Sequence, residues 1–128
     1  MMDPDENNRY QPLYGHPLHL LKIESAERYA TRLLPFIPRG LPIFQSHGIT
    51  HSRAIIRYIN QFLTIPGLSP TPDEIMLLYL AAWFHDIGYL HPLSIHDRSR
   101  HAEFSSVIIR TDPFLSDLLT ESELNHLA

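Results

Sequence analysis

The chain has no cysteine. Disulfides and thiolate metal sites are therefore excluded, and the composition fits a reducing compartment such as the cytoplasm. It also has no long basic run, and its formal charge is -4. That balance argues against non-specific binding to nucleic acid. Long apolar runs are missing too. The longest, Ile75 to Phe84, is ten residues, half of the ~20 that a membrane-crossing helix needs. The N-terminus is acidic and polar rather than a secretory leader. No segment reads as a strand, an internal repeat or a low-complexity tract. What remains is a chain of 128 residues, 44% apolar and 19% charged, which describes a single globular domain. Histidine is in excess, with nine copies scattered along the sequence.

The apolar run organises the rest. Thr71-Pro72-Asp73-Glu74 supplies an N-cap threonine, a proline at the first helical position and a glutamate three residues past the cap. This is a capping box. It predicts a helix from Pro72 to about Asp86, buried on all sides, with Gly88 as its stop signal. His85 and Asp86 fall in the last turn, at the edge of a core. Polar groups there are costly to desolvate without a partner. A divalent metal is one partner for an imidazole and a carboxylate. A hydrogen bond between the two is another.

Before that helix, residues 1–16 are polar and predict a tail, frayed as far as Gln11, with Tyr10, Leu13 and Tyr14 available for docking. The domain proper is expected over 17–128. Apolar residues at three- and four-residue steps predict a helix from Pro17 to Leu34, and Pro35 to Pro42 reads as a connector. Thr50 is expected to cap a helix with Ala54, Ile55, Tyr58, Ile59, Phe62 and Leu63 on its inner side. His51 then lies in a first turn, with His47 just ahead of it. A helix from Arg98 to Arg110 has His101 in its first turn, and a short piece runs from Phe114 to Leu119. Thr120 to Glu123 forms a second capping box, whose helix is cut off at Ala128. Such an ending predicts that the chain is a piece of a longer one. The fold class is all-α, a bundle of five or six helices.

His51, then His85-Asp86 34 residues later, then His101, each at a helix end, resemble the HD-domain superfamily of metal-dependent phosphohydrolases. The resemblance runs from Ser46 to the C-terminus. Its most specific part is Leu80-Ala81-Ala82-Trp83-Phe84-His85-Asp86-Ile87-Gly88. His101-Ala102-Glu103-Phe104-Ser105-Ser106 is similar to the His-Glu-x-x-Ser-Ala stretch of many members. The resemblance implies an HD-like bundle in which His51, His85 and Asp86 hold a divalent ion: Mn, Fe, Mg, Zn, Co or Ni. It makes Asp86 and His101 catalytic, lets His101 bind a second metal or contact the phosphate, and leaves His47 to support the ligands. Arg53 is the arginine assigned to the substrate, through the bidentate grip of guanidinium on phosphate. The implied activity is that of a phosphomonoesterase or phosphodiesterase acting on a nucleotide or related phosphate ester through metal-activated water. The chain departs from the family at two points. No distal Asp follows, since Asp112 and Asp117 come too early, and Tyr89 stands where many relatives have lysine. The alternative is thus a regulatory or ligand-binding HD domain without turnover, within a larger protein. The expected partner is a small phosphate ester or nucleotide, with no membrane; assembly into a homo-oligomer stays open.

Overall fold

A computed structural model describes residues 8–36, 48–90 and 98–128. Among these residues there are six α-helices and no strand. They are α1 (Pro17–Leu33), α2 (Ile49–Phe62), α3 (Pro72–Phe84), α4 (His101–Thr111), α5 (Pro113–Leu118) and α6 (Glu121–Leu127). Short 3-10 turns occupy Gln11–Leu13, Leu34–Phe36, Ile87–Leu90 and Arg98–Arg100. The all-α class is as expected.

The central helix is α3, which packs against α1, α2 and α6. Met76, Tyr79, Leu80, Ala82, Trp83 and Phe84 are all buried on it. Its start is set locally. The Thr71 hydroxyl accepts from the Glu74 N–H, and the Glu74 carboxylate accepts from the Thr71 N–H. Burial does not extend round the whole helix, however. Leu78 and Ala81 face outward, and Leu78 is 40% exposed. The apolar content of this helix exceeds what its neighbours among the described residues cover.

Three further expectations are corrected. The helix α2 begins at Ile49, with Gly48 rather than Thr50 at its N-cap. Its inner side is only partly the one expected: Ile55 and Ile59 pack against the core, but Ser52 and Ile56 are the buried residues, and Tyr58 and Phe62 are mostly exposed. Apolar spacing placed those two on the inner side, but the side that meets α3 is set by packing. Third, the fraying expected as far as Gln11 does not extend to Arg9 and Tyr10, which are buried, whereas docking by Tyr10 and Leu13 is as expected. Leu13 is completely buried and Tyr10 nearly so; Tyr14 stays exposed. The Trp83 indole N–H donates to the Tyr10 hydroxyl, which donates to Glu27. Arg9 pairs with the same carboxylate. Polar handles that would otherwise be stranded against α3 are thereby satisfied.

The last helices are short, and each is nucleated by a cap. The Asp112 side chain accepts from the Leu115 N–H at the start of α5. Thr120 and Glu123 form the second capping box at α6. Lys22 then ties α6 to α1 by a 2.8 Å contact with Glu123.

Candidate metal centre

Three helix ends converge on one carboxylate. His51 comes from the first turn of α2, His85 from the residue that ends α3, and His101 from the first position of α4. Between them lies Asp86, buried at 4% exposure. His85 Nε2 is 3.0 Å from Asp86 Oδ2, and His51 Nε2 is 3.8 Å from the same oxygen. His101 Nε2 faces the other oxygen, Oδ1, at 3.7 Å. The three histidine side chains are each about one-third exposed, so the carboxylate forms the floor of a site that opens to solvent.

Adjacent residues on a helix point about 100° apart, and His85 and Asp86 could not share a centre on an unbroken one. The helix solves this by ending. α3 stops at Phe84, and the chain turns into the 3-10 segment at Ile87. Gly88 is not the helix stop that was expected, and Gly67 is the only described glycine with positive φ. Its role is close approach. A Cβ on Gly88 would lie 1.9 Å from the His101 carbonyl oxygen and 2.5 Å from the Ser105 N. Only a residue without a side chain lets α4 come this near to the turn that carries Asp86.

Ser105 locks that contact. Its hydroxyl donates to the His85 carbonyl oxygen at 2.8 Å and accepts from the Gly88 N–H at 2.7 Å. The buried serine thus fastens α4 to both sides of Asp86. Tyr89, also buried, stacks its ring on His101 with centroids 4.5 Å apart and planes at 6°. Sequence reasoning assigned neither residue a task. The serine carried a signal, since it sits in the stretch that resembles His-Glu-x-x-Ser-Ala. The tyrosine carried none, because its partner is defined only by the folded chain.

The donor set fits a divalent cation. His85 Nδ1 lies 3.1 Å from the Ala82 carbonyl oxygen and 3.2 Å from that of Ala81. A carbonyl only accepts, so Nδ1 carries the hydrogen, and the neutral ring presents the Nε2 lone pair to Asp86 and His51. A lone pair facing a carboxylate is stable only with a positive charge between them, whether a proton or a metal ion. The Asp86 hydrogen bond accordingly holds the His85 imidazolium above its usual range, against the opposing effect of partial burial. Ligand atoms of His51, His85 and Asp86 all lie within 4.8 Å of one another. Bonds of 2.0–2.2 Å to a shared ion place ligand atoms at about 3–4 Å, close to the contacts seen here.

The other candidates fall elsewhere. Arg53 follows His51 by two residues, about 200° round the helix. It lines a different cavity with Arg9, Arg57 and Asn60. Arg100 pairs with Glu103 through two hydrogen bonds. His47, His91 and His96 lie outside the described residues. His126 is exposed and bonds to the Ser122 carbonyl. No helix among the described residues is long and apolar enough to cross a membrane.

A helical domain with an imidazole–carboxylate cluster at its helix ends is the class that this fold and site define. The chain belongs to the HD-CE family, whose model matches residues 26–126 and so covers the whole cluster. No curated protein and no solved structure matched the chain.

Proposed function

We propose that this domain is a metal-dependent phosphohydrolase that cleaves a phosphate ester, of which a nucleotide or nucleotide-derived molecule is the favoured class. The observation that carries this reading is the orientation of His85. Its Nδ1 is committed to backbone carbonyls, and its Nε2 is turned toward Asp86 and His51. Family membership and the absence of thiolates support the same reading, with Mn, Fe, Co, Ni, Zn or Mg as the ion. When bound, such an ion supplies Lewis acidity toward a phosphoryl oxygen and acidifies a coordinated water.

The chain's own residues supply the rest. Asp86 divides its oxygens, with Oδ2 toward His51 and His85 and Oδ1 toward His101. His101 is held flat against Tyr89, which suits it to meet a phosphoryl group or a second ion at a fixed angle. Metal analysis and phosphatase or phosphodiesterase assays test the proposal. Wild-type protein is expected to carry stoichiometric metal and to turn over, and His85→Ala and Asp86→Ala to lose both. Retention of metal by both variants sinks it. The His101→Ala variant separates the two roles of that residue. Loss of one equivalent of metal identifies a ligand; loss of turnover with metal intact identifies a substrate contact.

A second reading has one observation in its favour. Among the described residues the metal-ligating cluster contains three side chains, and no distal aspartate joins them. A domain that binds metal or nucleotide without turnover accounts for that. Stoichiometric metal with no hydrolysis across a panel of phosphate esters selects this reading.

A further inference from the structure

The helix α2 carries His51 in its first turn, yet little of it is buried. Of its 14 residues only Ser52 and Ile56 are buried, and Ile49, Ile55 and Ile59 pack against the core while partly exposed. Apolar contact is non-directional, so a face this thin resists sliding along α3 only weakly. Farther along, a directional contact joins the two helices. The Tyr79 hydroxyl donates to Asn60 Oδ1, and Asn60 Nδ2 donates to the Arg9 carbonyl oxygen at 2.9 Å. Tyr79 is completely buried, and its ring meets that of Tyr10 edge-on with centroids 5.1 Å apart. The Tyr10 hydroxyl in turn accepts from Trp83, one turn beyond Tyr79 on α3. The connections thus close on themselves: they leave α3 at Tyr79, pass through α2 and the N-terminal segment, and return to α3 at Trp83. Burial pushes the Tyr79 hydroxyl well above its usual pKa, so it stays a donor at any working pH.

We propose that Asn60 and Tyr79 are positioning residues for the metal centre: their hydrogen bond fixes the register of α2 on α3 and so sets His51 against His85 and Asp86. This inference rests on the metal-centre reading above. Asn60 lies about 13 Å along α2 from His51, and Tyr79 about 9 Å along α3 from His85. The bond and the ligand cluster therefore grip the two helices at separate places. A hydrogen bond confines its two atoms to a range of about 0.5 Å. Metal–ligand distances must be met to about 0.2 Å. A slip of α2 by even half of its ~1.5 Å rise per residue carries the His51 imidazole out of range of an ion held by the other two ligands.

Cobalt(II) titration of the metal-free protein tests this, read by ligand-field absorption and by competition with a chelator. The spectrum reports ligand geometry as well as affinity. Wild-type protein is expected to bind cobalt. Tyr79→Phe, which removes a single oxygen, and Asn60→Leu are each expected to weaken binding about tenfold, as loss of a ligand-orienting partner does, and to alter the spectrum. The double variant should bind no more weakly than either single one, since the same bond is removed. Leu115→Ala opens a cavity on α5, outside this network. It should lower stability in urea melts yet keep wild-type affinity and spectrum. Were Asn60 and Tyr79 merely structural, their variants would behave like Leu115→Ala. Tyr79→Phe carries the test should Asn60→Leu fail to fold, which far-UV circular dichroism reveals. Wild-type affinity and spectrum in the folded variants, additive losses in the double variant, or an equal loss in Leu115→Ala each overturns the proposal and leaves the metal centre standing. If wild-type protein takes up no cobalt, the metal-centre reading fails and this inference fails with it.

Discussion

His85 exerts two pH effects of opposite sign. Its folded pKa is raised above the ordinary value by the Asp86 hydrogen bond, and the unfolded value is about 6.5. In ion-free protein the pair therefore stabilises the fold fully below the unfolded pKa. That contribution is lost as pH rises through the raised folded pKa. Metal binding runs the other way. A proton and a cation compete for Nε2, so apparent affinity should climb over the same interval. Urea melts of the stripped protein and metal titrations between about pH 6 and pH 8 should show these crossing trends. In Asp86→Asn both should flatten. Parallel trends would mean that proton and ion occupy different places.

The element on which the site turns is the junction of α3 with α4. Replacing Ser105 with alanine strands the buried Gly88 N–H and removes a partner from the His85 carbonyl. A cost of about 1–3 kcal/mol is expected in denaturant melts, together with weaker metal binding, because the turn carrying Asp86 is loosened. Gly88→Ala should be worse, since its methyl would meet the His101 backbone rather than a movable side chain. If Gly88→Ala keeps wild-type stability and metal affinity, the close approach has no such role. These same elements show what the sequence can and cannot reveal. The start of α3 and both capping boxes were legible because hydroxyl, proline and glutamate act within one turn. The convergence of His51, His85 and Asp86 was legible only through a family pattern, as nothing local brings residues 51 and 85 together. The inner side of α2 is legible at Ile55 and Ile59 but not at Tyr58 and Phe62, which have core-like side chains and solvent-facing positions. The partnerships of Ser105 and Tyr89 are purely tertiary, and periodicity does not encode them.

Across the whole molecule, α6 stands out for having no buried residue of its own. Seven residues cannot hold a helix alone, so it depends on packing, on its cap and on Lys22. Burial opposes ionisation of Glu123, but Lys22 and the Thr120 cap outweigh it and hold the carboxyl below its usual range. The contribution is present above the unfolded carboxylate pKa and is lost as pH falls through the lower folded value. Lys22→Met should cost about 1 kcal/mol or less near neutrality, and the deficit should vanish in acid, as pH-dependent melts would show. The geometry of the metal centre acts on a larger scale still. Its ligands come from the beginning of one helix and the end of the next, and the residues between them form most of both. A cation gripped there would clasp this stretch into a closed loop and act as a reversible cross-link. Starving the protein of metal should then do more than silence chemistry: the span from Gly48 to Asp86 should become the first region open to a protease.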